Sequence, residues 1–236
     1  MGVLIFEGMK VGFLDGDFSI SIDEEGKTDA KLVLSTSYNV LPLWLRIAHD
    51  NTVLSHKASN DITEKWNDNV EEQKAILLAE LTPSMQAFVA CGTALDALYE
   101  QLKPFAKISE EDIKIWRENK TSRAAQIAEI IRRVYKLNKD IFKAFRNNIK
   151  SIIKYRDEAV HPTHEIKRTC TRPDVPVGVD WRFSAYRYHN GAICYRRTME
   201  MFVHLYEKGA SDEKVNENME NMFKAFKELG LVSVNA

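Results

Sequence analysis

Cysteine, proline and glycine are all scarce in this 236-residue chain, which has three, six and ten of them respectively. Cys91, Cys170 and Cys194 are odd in number and widely spaced. That excludes a disulfide framework and a Cys-x-x-Cys redox or zinc pair, and it suits a reducing compartment. So few glycines and prolines argue against an all-β sandwich, with its many tight turns, and for long helices. Neither sign of charge is in excess: 33 Lys and Arg face 34 Asp and Glu. General coating of nucleic acid is therefore excluded, and any polyanion site must be local. A long apolar run is also lacking, because the longest uncharged stretch, residues 81–95, is too short to cross a bilayer and contains Thr82, Ser84, Gln86 and Thr93. Glu7, Lys10, Asp15 and Asp17 interrupt the apolar run that a secretory signal needs. A cytoplasmic protein with no membrane partner is expected.

Several chemistries are missing too. There is no Walker A loop, no Rossmann glycine fingerprint and no Gly-x-Ser-x-Gly elbow, which argues against nucleotide hydrolysis, dinucleotide chemistry and serine-hydrolase catalysis. His161, His164, Cys170, His189 and Cys194 are of zinc-ligand type, but their spacing is irregular. Neither a metal nor a cofactor is expected.

What is present is enough apolar residue, 44% of the chain, to build a core. Near the N-terminus Phe18, Ile20 and Ile22 alternate with Asp17, Ser19 and Ser21, and Leu32 and Leu34 resume the period beyond a turn at Gly26. This spacing predicts a small antiparallel hairpin with an acidic tip formed by Asp23, Glu24, Glu25 and Asp29. After Pro42 the period becomes helical. Trp66, Val70, Leu77 and Leu81 share a stripe, and Thr82-Pro83 reads as the cap and first turn of a further helix reaching Leu102. Ser109 and Asp112 suggest a capping box; amphipathic stretches follow at 121–137, 140–160, 191–208 and 211–229. Residues 163–189, marked by Pro173 and Pro176, read as a long loop. The expected organisation is an N-terminal hairpin and helix extension over 1–60 and a helical bundle over 61–236, mainly α in class.

One residue is out of place. Phe142, Phe145, Ile149, Ile152 and Ile153 form a buried stripe, and Arg156 falls on its continuation. A guanidinium there needs a carboxylate, helix-end carbonyls or a bound anion, since burying it unpaired costs several kcal/mol. Asp96, flanking the apolar face of the preceding long helix, can be brought to it by helical phase. His161 follows directly before Pro162, which pushes it out of the α region and lets it turn back over the helix end. An arginine that steadies phosphate charge beside a histidine that moves protons is a sufficient minimum for metal-independent RNA cleavage by the ribose 2′-hydroxyl.

The stretch Tyr155-Arg156-Asp157-Glu158-Ala159-Val160-His161-Pro162 resembles the R-x4-6-H signature of the HEPN superfamily, helical-bundle proteins that include many RNases of toxin–antitoxin, CRISPR and abortive-infection systems. Arg182 to His189 and Arg197 to His204 share the longer spacing. Only Arg156 to His161 adds the polar second residue, Asp157, and the helix-ending proline. The resemblance implies a HEPN-like bundle in which Arg156 and His161 are catalytic and Asp157 positions them. It also implies a homodimer with a composite site, RNA as substrate and a cognate antitoxin or other regulatory protein. The N-terminal hairpin lies outside it.

Between Ile166 and Met199 seven Lys and Arg face only two Asp, interleaved with aromatics. Cations for phosphates and rings for base stacking make Arg168, Arg172, Trp181, Arg182, Arg187 and Tyr188 candidate RNA-binding residues. The competing expectation from a different class is a non-catalytic HEPN-like module that docks a partner protein or binds nucleotide.

Overall fold

In the computed structural model, which describes residues 4–5, 9–161, 163 and 165–232, the N-terminal segment is a ribbon of two successive antiparallel ladders. Strand β1 (Met9–Gly12) pairs with β4 (Ser35–Tyr38), and β2 (Phe18–Ile22) pairs with β3 (Thr28–Leu32) in the register Phe18↔Leu32, Ile20↔Ala30, Ile22↔Thr28. The alternation of Phe18, Ile20 and Ile22 foretells β2, and the expected return strand is met at Leu32, while Leu34 falls past the end of β3; the first ladder extends the second. At the tip, the Asp23 carboxylate accepts from the backbone N–H of Glu25 and Lys27, and Gly26 takes a positive φ of 78°.

Eight α-helices follow among the described residues: α1 (Leu41–Lys65), α2 (Val70–Leu102), α3 (Glu110–Glu118), α4 (Arg123–Tyr135), α5 (Lys139–Val160), α6 (Trp181–Ala185), α7 (Tyr188–Lys208) and α8 (Glu213–Glu228). Their starts are set by short polar caps. Asn69, Ser122, Asn138 and Asp212 each accept from a first-turn N–H, and Ser109 with Asp112 closes the expected capping box before α3. One core joins Leu41 and Leu45 of α1, Phe88 and Leu95 of α2, Ile127 and Ile131 of α4, Ile149 and Ile153 of α5, Phe202 of α7 and Phe226 of α8. The class is therefore a mainly helical bundle with a small N-terminal β-ribbon.

Three expectations change. The helix expected to begin at Thr82-Pro83 is continuous, with Pro83 buried inside α2. Packing along α1 outweighs the local breaker, and the Ser55 hydroxyl donates to the Glu80 carbonyl (3.3 Å) in the turn that the proline disturbs. The boundary expected at residue 60 falls inside α1, whose side chains belong to the bundle core. The long loop over 163–189 contains a hairpin of β5 (Cys170–Arg172) and β6 (Val175–Val179) and then α6. By length and apolar content α2 passes as a membrane span; in this fold it is the central helix of the bundle.

The β5–β6 hairpin is fixed to α2 by a buried ion pair. Arg172 Nη1 lies 2.8 Å from Glu80 Oε2 and donates to the Phe183 carbonyl at 2.9 Å, while Nε donates to Asp174 (2.9 Å). Glu80 Oε1 accepts from the Tyr188 backbone N–H at 2.7 Å, which ties the start of α7 to the same point. Both side chains are almost fully buried, so removing one leaves the other charge stranded. Arg172→Met is expected to lose about 3–5 kcal/mol in urea unfolding. Adding Glu80→Gln, which removes the stranded charge and keeps an acceptor for Tyr188, is expected to restore a large part of that loss.

Candidate functional site

Helix α5 ends at Val160, where the sequence places its stop, and His161 is the capping residue, with φ −118°, ψ 73° and its backbone N–H donating to the Asp157 carbonyl at 2.8 Å. The imidazole is exposed. One turn earlier Arg156 points into the bundle and retains 20% side-chain exposure. Its aliphatic stem lies against Gly92 of α2, where a Cβ would come within 2.8 Å of Arg156 Cγ and 2.9 Å of its Cβ. Gly92 is therefore the place where α2 gives way to the arginine. Pro162 lies outside the described residues, as does His164, one of the histidines weighed for zinc.

The carboxylate answer to the misplaced arginine is the one that the fold adopts. Arg156 Nη2 donates to Asp96 Oδ2 at 2.6 Å, and Nη1 lies 3.3 Å from Asp157 Oδ1; Nε is buried with no hydrogen-bond partner. Asp96 also accepts from Arg123 Nε at 2.7 Å through its other oxygen, and Arg123 Nη2 reaches Glu100 at 3.0 Å. The Arg123 guanidinium rests 3.6 Å over the Tyr99 ring. An alternating chain of charges, Glu100–Arg123–Asp96–Arg156–Asp157, thus runs from α2 through α4 to the last turn of α5. Asp96 is found as the sequence suggests. Arg123 is not, because nothing local marks it as a second claimant on that carboxylate. No hydrogen bond among the described residues joins the Arg156 side chain to the His161 ring.

The candidate RNA-binding residues separate into three groups. Trp181 and Arg182 lie beside the motif: Arg182 Nη2 donates to the Thr163 carbonyl at 3.4 Å, and Nη1 lies 3.4 Å from Asp180. Lys167 and Arg182 sit 4.3 and 4.9 Å from the Trp181 ring centroid, and Arg168 is exposed on the same strand of chain. Arg187 and Tyr188 lie at the start of α7, where the Arg187 carbonyl accepts from Ser84 and Tyr188 stacks on His56 with ring centroids 4.5 Å apart. Arg172 is withdrawn from any surface. Its partners Glu80 and Asp174 account for its charge, so it offers nothing to a phosphate, contrary to its expected place in the RNA surface.

A separate groove of about 830 Å³ lies between the ribbon base, α2 and α8, lined in part by Lys10, Tyr38, Gln101 and Asn221. None of Arg156, Asp157 or His161 borders it, although Glu100 connects it to the charge chain. Comparison of the chain with protein-family models, with curated proteins and with solved structures gives no match.

Asp96 is enclosed with two cations, whereas Asp157 is half-exposed and holds one long contact. Asp96→Ala is therefore expected to cost about 2–4 kcal/mol in urea unfolding, and Asp157→Ala less than about 1 kcal/mol. Equal losses would show that the chain of charges does not brace the helices.

Proposed function

We propose that this chain is a metal-independent endoribonuclease of the defence or toxin type, with Arg156, Asp157 and His161 at its active site. The observation that carries this proposal is the neighbourhood of these residues at one helix end. The last turn of α5 holds Arg156 and Asp157, His161 caps it in solvent, and Arg182 reaches across to Thr163 two residues further on. In the chemistry proposed, the ribose 2′-oxygen attacks the adjacent phosphorus and the bond to the 5′-oxygen breaks. His161 relays the proton, and the product ends are a 2′,3′-cyclic phosphate and a 5′-hydroxyl. Arg156 steadies the charge that develops on the phosphoryl oxygens, and Asp157 fixes the arginine's outer edge. Trp181, Arg168 and Arg182 supply the stacking face and the cations of a single-stranded RNA rim. A second copy completing a composite site, a regulatory partner such as an antitoxin, and a cytoplasmic location belong to the same proposal.

The non-catalytic alternative, a HEPN-like interaction module, is favoured by one observation. Two carboxylates already account for the burial of Arg156, so no phosphate is needed to explain it.

Cleavage of a labelled single-stranded RNA in EDTA decides between them. Wild type is expected to cut the RNA, but not the same strand carrying 2′-deoxyribose. His161→Ala, which alters an exposed side chain, is expected to lose at least about a hundredfold in rate, and Arg156→Lys is expected to lose activity with its circular dichroism unchanged. Equal cleavage by wild type and His161→Ala, or no cleavage by folded wild type in any oligomeric state, rejects the ribonuclease.

A further inference from the structure

Among the described residues, the apolar side of the ribbon is not covered by the rest of the protein. In β2 and β3 every residue is exposed. The register places Phe18, Ile20, Ile22, Thr28, Ala30 and Leu32 on one face, with Ser19, Ser21, Asp29 and Lys31 on the other. Phe18, Ile20, Ile22 and Leu32 remain 60, 57, 69 and 59% exposed, and none joins the bundle core. An isolated two-stranded ribbon is at best marginally stable in water, and its usual stabiliser is a surface on its apolar face. Here the bundle supplies none.

We infer that this ribbon is a dimerisation arm, whose apolar face packs against the same face of a second copy of this chain. Two observations select a second copy, and a third shows how the arm is held. First, the face carries no charge: Asp23, Glu24, Glu25 and Lys27 are confined to the tip, and Asp29 and Lys31 to the reverse side. A flat uncharged face is complementary to itself under a twofold axis, which makes the contact isologous. An antiparallel arrangement also keeps the two acidic tips at opposite ends, whereas a parallel one would set like charges together. Second, the area is sufficient. The four large side chains expose on the order of 400–500 Å², near the upper end of what soluble monomers leave bare. Two such faces with their flanking backbone bury about 1,000 Å², the lower bound of a specific interface. Third, the arm is anchored at its base. Lys10 donates to Asn218 of α8, and Asn39, directly after β4, accepts from the Leu41 N–H at 3.0 Å and from Gln101 Nε2 of α2 at 2.8 Å. The ribbon is therefore presented from the bundle at a fixed point.

This inference does not rest on the ribonuclease proposal, although that proposal also calls for a second copy: it concerns a surface that shares no residue with the α5 end and is read out without RNA. The test is sedimentation equilibrium of the full chain across a concentration series, alongside Ile20→Asp on the apolar face and Ser19→Asp on the reverse face. Wild type and Ser19→Asp are expected to dimerise alike, and Ile20→Asp to weaken the dimer at least about tenfold, with unchanged helical circular dichroism. A second measurement does not depend on damaging the ribbon. In a Cys170→Ser background, Ile20→Cys is expected to form an interchain disulfide on mild oxidation, and Ser19→Cys is not. A wild type that stays monomeric throughout, a dimer that Ile20→Asp leaves intact, or crosslinking from both positions alike would overturn the inference.

Discussion

Asp96 is one carboxylate held by two arginines from different helices, and the α5 end depends on it. Arg123 comes from α4 and Arg156 from α5, each on its own oxygen, while Asp96 itself sits on α2. Without that negative charge the two guanidinium groups would face each other across a partly dry gap, where like charges repel strongly. With it, three helices are joined at a single point. The direction in which Arg156 leaves α5 is then fixed by the carboxylate ahead of it and by Gly92 beneath its stem. His161 thus caps a helix whose final turn is braced in this way.

Helix α2 repeats the device nearer its N-terminus. Glu80 of α2 is buried against Arg172 and receives the first N–H of α7. The long connection between α5 and α7 is thereby attached to the bundle at a definite place. Two acids on one apolar helix, one in the core and one at its margin, position the segments that flank the motif. The continuity of α2 through Pro83 matters for this reason: a break there would uncouple Glu80 from Asp96. The core packing of α1 and α2 is what makes the helix tolerate a proline whose local effect is to end it.

Much of the fold was legible because its signals are local. Apolar periodicity located α4, α5, α7 and α8, the Ser109–Asp112 box located α3, and strict alternation located β2 and the Leu32 end of β3. What escaped is long-range. Thr82-Pro83 carries a valid start signal, and only packing against α1 overrides it. Arg172 counted toward a basic rim because its neighbours in sequence are basic, yet its buried partner, Glu80, lies 92 residues away in the chain. Asp96 could be matched to Arg156 by helical phase, but Arg123 could not, since no local pattern distinguishes an exposed first-turn arginine from one that crosses to another helix. Alternation shows that the ribbon has an apolar face and is silent on what covers it.

The charge at the α5 end decides how an RNA would be held there. Arg123 and Arg156 stand among Asp96, Asp157 and Glu100, so the braced cluster has no positive excess with which to attract a phosphate. On the proposed reading Arg156 would meet a phosphoryl group only at short range, with the 2.6 Å contact to Asp96 and the 3.3 Å contact to Asp157 holding its direction. Long-range attraction would come from elsewhere; among the described residues, Lys167 at the Trp181 ring and exposed Arg168 next to it in the chain are cations without an acid partner. On the proposed reading, attraction and chemistry would fall to different side chains. Arg172, buried with its acids, contributes to neither, and the nominal basic excess of residues 166–199 overstates the field that an approaching strand meets.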